Sequence, residues 1–315
     1  GMTFLLIGVF GFFGLHLLLW LPRSIQGIRQ KRKHREAAGP KYYIKRFNTG
    51  QRMTHLFVII SFLLLALTGM MLKFAGMPWA STLADLLGGV HAAGNIHRFA
   101  AIITFGYFIF HVVSLTRLKI KRKIPIGQFI FGKNSLMFNK QDLVDFWATL
   151  KWFFGRGPRP NYGRWTYWEK FDYFAVFWGV AVIGFSGLIL WFPEFFTQVF
   201  PGWLINVAMI IHSDEALLAV GFIFTIHFFN THLRPDAFPM DTVIFTGTVP
   251  YEEFKHDRPR EYEELKKSGK LKKVIVKKDK KGKMEKYVKP FGYAFLFTGL
   301  FIVILIIYTM LFGYN

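Results

Sequence analysis

The chain has 315 residues, of which 52% are hydrophobic and 19% aromatic, and it carries 40 Lys and Arg against 19 Asp and Glu, a formal charge of +21, with no Cys. That composition is too apolar for an ordinary soluble domain, and without Cys the chain has no disulfides, no thiolate-held metal and no thioether-attached cofactor. The positive charge falls in alternate loops between apolar stretches, which points to a membrane protein and away from a nucleic-acid partner.

Six apolar stretches, 2–22, 53–76, 97–118, 171–193, 204–232 and 291–312, come close to the ~20 residues that a spanning helix needs. The first has no basic segment ahead of it and basic residues after it, which predicts a retained helix and not a cleaved signal peptide. Loops 23–52, 119–170 and 233–290 hold 10, 11 and 16 Lys or Arg, 37 of the 40, whereas 77–96 and 194–203 hold none. By the positive-inside rule the three basic loops are cytoplasmic and both termini face outward.

Residues 46–72 (RFNTGQRMTHLFVIISFLLLALTGMML) and 164–190 (RWTYWEKFDYFAVFWGVAVIGFSGLIL) look like distant copies of one unit. Each runs from an aromatic and basic entry through an apolar span to a small polar residue and a glycine, Thr68-Gly69 or Ser186-Gly187. Those glycines admit either a flat macrocycle or a closely packed helix. Each copy is followed by a span expected to carry a histidine in its first turn, His97 or His212. The expected fold is all-α and integral to the membrane, with a four-helix bundle over 46–235. Outside it lie a first helix and basic loop (1–45), a basic extension (236–290) and a last helix (291–315). The segment 141–155 is too short to span and reads as an interfacial helix presenting Leu143, Phe146, Trp147, Leu150, Phe153 and Phe154. In the extension a charged helix (251–269) is expected, then a small hairpin, with lysines that contact anionic lipid.

The spans carry histidines in register. His97 and His111 are 14 residues apart, His212 and His227 are 15, and His55 opens another span. At ~1.5 Å per residue each pair covers roughly 21–22 Å, enough to reach two depths of one bilayer. Ionisable groups at such depths are costly and usually functional, and imidazole is the commonest metal ligand, so the spacing suggests two stacked haems. His97 and His212 share the outer depth. At the inner depth His55, His111 and His227 compete, with His232 a turn further on and His16 on the first helix; spacing taken alone favours His111 with His227. Arg52 and Arg98, next to the histidines, suit haem propionates or simple snorkelling. His34, His91 and His256 lie in loops and receive no role.

The runs QRMTHLFVIISFLLLALTGM, IHRFAAI, YFAVFWGVAVIGFSGLILWFPEFF and IHSDEALLAVGFIFTIHFFNTHLRP resemble the cytochrome b (gamma) subunits of respiratory formate dehydrogenases. They also resemble the b subunits of nickel–iron hydrogenases and the b-type cytochromes that partner periplasmic multihaem c cytochromes. The likeness covers about residues 46–265. It implies two haem b groups, held by His55 with His227 at the inner level and His97 with His212 at the outer. Two features depart from that pattern: the 15-residue offset, and the histidine at 111. An offset of 15 turns the second imidazole roughly 60° from the first, against about −40° for 14, so a distortion such as a π-bulge is expected. His111 then serves a propionate or a carbonyl, replaces His55, or joins His16 or His232 on a third haem.

Two imidazoles fill both axial positions, so such haems pass single electrons and bind no substrate. The resemblance further implies a quinone (or menaquinone) site by the inner haem, for which Asn48, Gln51, Glu169, Asp172 and Tyr173, with His232, Arg234 and Asp236, are candidates. The expected function is electron transfer between the quinone pool and a periplasmic partner, a multihaem c-type cytochrome or an iron–sulfur subunit. The likeness of HFFNTHLRPDAFPMDTVIFTG to cytochromes that accompany multihaem proteins favours quinol as donor. An anchor passing electrons from formate dehydrogenase or hydrogenase to quinone would share the scaffold. A proton-coupled transporter with histidine relays is the rival of another class, and it predicts a polar path and no chromophore.

Overall fold

The computed structural model describes residues 2–35, 42–235, 237–238, 240–277 and 281–313. Helix α1 (Met2–Arg35) is followed by strand β1 (Tyr42–Lys45), α2 (Thr49–Lys73), the short α3 (Pro78–Leu86) and α4 (Val90–Lys121). Next come α5 (Ile126–Phe131), α6 (Lys140–Phe153), α7 (Tyr167–Trp191), α8 (Pro193–Thr197) and α9 (Trp203–Phe222). The last of these continues through two π-helical turns, Ile223–His227 and Phe229–Leu233. Then follow α10 (Val243–Thr246), β2 (Thr248–Pro250), α11 (Tyr251–Asp257), α12 (Pro259–Lys267), α13 (Leu271–Val274), β3 (Ile275–Lys277) and α14 (Lys281–Phe312).

Among the described residues, six helices are long and apolar enough to cross a membrane: Ile7–Gln26, Thr49–Lys73, Val90–Lys121, Tyr167–Trp191, Trp203–Leu233 and Tyr287–Phe312. The chain is an all-α integral membrane protein with six spans. Much of their surface is apolar and open, as with Phe99, Ile102 and Ile109 on α4 or Ile304, Ile307 and Leu311 on α14, which suits contact with lipid. The closest pairings are α2 with α4 and α7 with α9. On the outside α14 buries Leu296, Ile302 and Ile306 against Met70, Val220 and Phe224, and α1 sets Phe13 against Phe222 and Ile226.

Several elements differ from their sequence-based outlines. Helices α1 and α14 extend well into the basic segments, which are rich in good helix formers. Gly89, at φ 95, starts α4 at Val90, so His97 is the eighth residue of its helix and His212 the tenth of α9, neither in the first turn. The helix expected over 251–269 is broken at Pro259. No hairpin follows among the described residues: β3 pairs antiparallel with β1, which also pairs with β2, in the order β2-β1-β3. Ile44, Val249, Phe254 and Tyr262 form the small core beneath that sheet. In α6, Phe146, Leu150 and Phe153 pack on Trp20, Tyr162, Tyr167 and Trp168, while Leu143, Trp147 and Phe154 remain exposed.

The duplication is visible in matched contacts 118 positions apart. Arg46 and Arg164 each donate to the other's main-chain carbonyl, at 2.9 and 3.1 Å, and each takes one carboxylate oxygen of Glu261, at 2.6 and 2.8 Å. Asn48 with Gln51 and Thr166 with Glu169 form equivalent capping boxes at the starts of α2 and α7. Nearby, Lys170 pairs with Asp142 at 2.8 Å, Arg258 with Glu169 at 2.8 Å and Arg260 with Asp145 at 2.7 Å. Segments from both ends of the bundle's sequence are thereby locked together at the end carrying the basic loops.

Candidate metal centre

At the end away from the basic loops, α4 and α9 present His97 and His212 to one another, with ring centroids 6.2 Å apart and planes at 69°. A nitrogen bonds a first-row metal at about 2 Å and the ring centre lies about 1 Å further, so two trans imidazoles on one metal have centroids roughly 6 Å apart. The remaining ring nitrogens are already engaged. Thr68 donates its hydroxyl proton to the Leu64 carbonyl at 2.6 Å and is thereby free to accept from His97 Nδ1 at 2.9 Å. His212 Nδ1 donates to the Ile183 carbonyl at 2.9 Å and lies 3.4 Å from Ser186 Oγ. Such contacts fix the Nδ1–H tautomer and leave Nε2 as the donor atom in both rings.

Glycine provides the space for these rings. A methyl group at 187 would sit 2.9 Å from His212 Cε1, and one at 69 would sit 3.3 Å from His97 Cε1. Among protein atoms, the imidazole is the nearest neighbour that a side chain at either position would meet. Gly187→Ala is expected to displace His212 and weaken cofactor retention at this level by about 10-fold or more, with Gly69→Ala milder. Haem content of the two purified variants measures the difference, and equal retention would contradict the steric argument.

At the basic end His55, in the second turn of α2, and His227, in the first π turn, line the same cavity. His227 Nδ1 donates to Asp172 Oδ2 at 3.0 Å, again leaving Nε2 open, and His55 Nδ1 is buried without a hydrogen-bond partner. The π turn between His212 and His227 takes up one residue of the 15-residue offset, the distortion expected from the spacing. Asp172→Asn, which keeps the size but loses the charged acceptor, is expected to cost about 10–100-fold in cofactor affinity at the inner level alone. Titrating released cofactor against each level's spectrum would test this, and an unchanged inner level would count against the orienting role.

His111 Nε2 is bonded to the Tyr173 hydroxyl at 2.8 Å. His16 Nε2 meets the Tyr167 hydroxyl at 2.5 Å within a cage of Trp20, Phe153 and Trp168. His232 packs edge-on against Phe228. Arg98 reaches Asn95 at 3.5 Å and lies over Trp191, while Arg52 packs beside Gly247. Asn48, Gln51 and Glu169 serve as helix caps, and Asp172 and Tyr173 as histidine partners. Asp236 lies outside the described residues.

A cavity of about 1970 Å³ runs between the levels and is lined by His55, His97, His111, His212, His227 and His232. One small-molecule pocket takes about 300–1,000 Å³, so this space exceeds what a single small ligand needs. Its lining also includes Arg98 and the five polar candidates at the basic end, but neither His16 nor Arg52. The sequence reading passed over Glu215, a buried acid one turn beyond His212 that lines the cavity and accepts from Trp178 Nε1 at 3.4 Å. An acid in the middle of an apolar span was the signal that could have found it.

Among the described residues no three His, Cys, Asp or Glu gather as a metal site. Paired imidazoles with nothing else to complete a coordination sphere suit a metal whose other ligands come from a macrocycle, and the donor set, the unpartnered His55 nitrogen and the cavity all fit haem. The chain is similar to the cytochrome b subunits of formate dehydrogenases. It is 24% identical over 226 residues to the cytochrome b556(fdo) subunit of Escherichia coli formate dehydrogenase, covering 71% of this chain and 94% of that protein. The nitrate-inducible cytochrome b556(Fdn) subunit of the same organism is 24% identical over 219 residues, 69% of this chain and 89% of the relative. The formate dehydrogenase cytochrome b556 subunit of Haemophilus influenzae is 24% identical over 175 residues, 56% of this chain and 65% of the relative. No protein-family model matches the chain.

Proposed function

We propose that this protein is a membrane cytochrome b subunit that holds two haem b groups at two depths and carries electrons between a quinone and a redox partner on the opposite face. The observation that carries this reading is the His97–His212 pair, spaced for one metal between them, with both Nδ1 atoms already engaged. The inner haem falls to His55 and His227, with Asp172 orienting the latter. Haem held by two imidazoles supplies one-electron transfer and nothing else.

The chain's own residues set the rest. Thr68, Ser186 and the Ile183 carbonyl hold the outer rings by hydrogen bonds, and Gly69 and Gly187 give them room. The quinone belongs at the basic, cytoplasmic end, where Asn48, Gln51, Glu169, Asp172 and Tyr173 line the cavity. Three of them fix helix ends there. With the basic loops inside, both termini are periplasmic and the outer histidines lie near the periplasmic face.

The partner there is a multihaem c-type cytochrome receiving electrons from quinol, or the iron–sulfur subunit of a dehydrogenase delivering them to quinone. The relatives' names favour the second direction. Adding a quinol to vesicles containing the protein tests the quinone assignment. Haem reduction that Asp172→Asn slows is expected, and a protein that dithionite reduces but quinol does not would overturn it.

A further inference from the structure

The inner level contains three histidines, His55, His111 and His227, where one haem needs a single pair, and the internal duplication relates His111 to His227. The α2 and α7 copies are offset by 118, as the reciprocal Arg46 and Arg164 bonds and the paired Thr68 and Ser186 contacts require. That offset places Tyr173 where α2 has His55, and Asp172 where α2 has Thr54. Helices α4 and α9 match at His97 and His212. Because the π turn at Ile223–His227 inserts one residue, His111 matches His227. The pair His111 and Tyr173 on α4 and α7 is therefore the counterpart of His227 and His55 on α9 and α2.

Two substitutions distinguish the halves. His227 has a carboxylate on Nδ1, whereas the α2 position that corresponds to Asp172 holds the neutral Thr54. In place of a second imidazole, α7 offers a phenol, and its hydroxyl occupies His111 Nε2 at 2.8 Å. That nitrogen is the one left open in His97, His212 and His227, whose Nδ1 atoms are engaged. Both residues line the same cavity as His55 and His227.

We infer that His111 and Tyr173 form a second, latent haem-ligand position at the inner level, and that Tyr173 decides which half of the bundle binds by engaging the nitrogen His111 would use for iron. Tyr173 is thus a specificity-determining residue, and a single change to histidine would complete the latent pair. The inference rests on the bis-histidine reading proposed above, and its test separates the two.

The experiment is a rescue scored as haem per chain and as the low-spin spectrum of bis-imidazole iron, in full-length protein purified from membranes. His55→Ala is expected to lower haem from two per chain to one, with the outer haem reporting a folded bundle. Adding Tyr173→His to that variant is expected to restore the second haem, and adding His111→Ala as well to remove it again. The same rescue is expected on a His227→Ala background, which provides a second lesion should the first variant fail to accumulate. A double variant that keeps its outer haem and gains none overturns the inference and leaves the functional reading standing. Full haem content in His55→Ala alone also overturns it, because His111 would then be a ligand with Tyr173 present. Wild-type protein without haem would instead remove the functional reading itself.

Discussion

His212→Ala is expected to halve the haem content of the purified protein, taking the outer haem and leaving the inner one spectrally intact. In the proposed arrangement the two levels draw on different imidazoles, and α9 supplies one to each, so deleting the residue at one depth should leave the other pair its full donor set. His97→Ala is expected to give the same result, because the Thr68 contact serves only that ring. Haem quantification with reduced-minus-oxidised spectra checks both. Loss of both haems from either variant in a protein that still folds would mean that the levels are not independent.

The largest stability effect is expected at Glu261, whose side chain is 8% exposed and is shared by Arg46 and Arg164. Burial pulls the Arg46 guanidinium down to about 10, Arg258 adds to the shift and Glu261 opposes it. At neutral pH, well below that value, Arg46 is still a cation, so removing its carboxylate leaves buried positive charge facing more positive charge. Removing one partner of a buried ion pair costs about 3–5 kcal/mol, and Glu261→Ala is expected to fall in that range. Glu261→Gln should recover only part of the loss, since an amide accepts hydrogen bonds but does not neutralise charge. Unfolding of the detergent-solubilised protein, followed by loss of tertiary signal, measures it. A shift below about 1 kcal/mol would show that the tie between the tail and the bundle carries little of the stability.

Much of the fold was legible because membrane spans follow from local chemistry: a long apolar run needs no distant partner to be recognised, and the loop charges alternate without exception. The copies at 46–72 and 164–190 were also legible, down to Thr68-Gly69 and Ser186-Gly187. Their purpose was not, because only the packed helices bring Gly187 under His212 and direct the Thr68 hydroxyl at His97. The β-sheet was missed for the same reason. Its strands are too short to show alternation, and β1 finds both partners more than 200 positions away. Glu261 gave no local sign either; as one of many charges in EEFKHDRPREYEEL, it became distinctive only on meeting two arginines from the duplicated entries. The π-bulge, by contrast, followed from counting, since 15 residues do not return a side chain to the same helical face.

Whether imidazoles from separate spans grip iron porphyrin at two heights is tested most directly by haem and iron per chain in the purified wild-type protein, read with its visible spectrum in both oxidation states. Two haems per chain, both low-spin with bis-histidine character, are the expected result. Folded protein that is colourless and free of iron would contradict it.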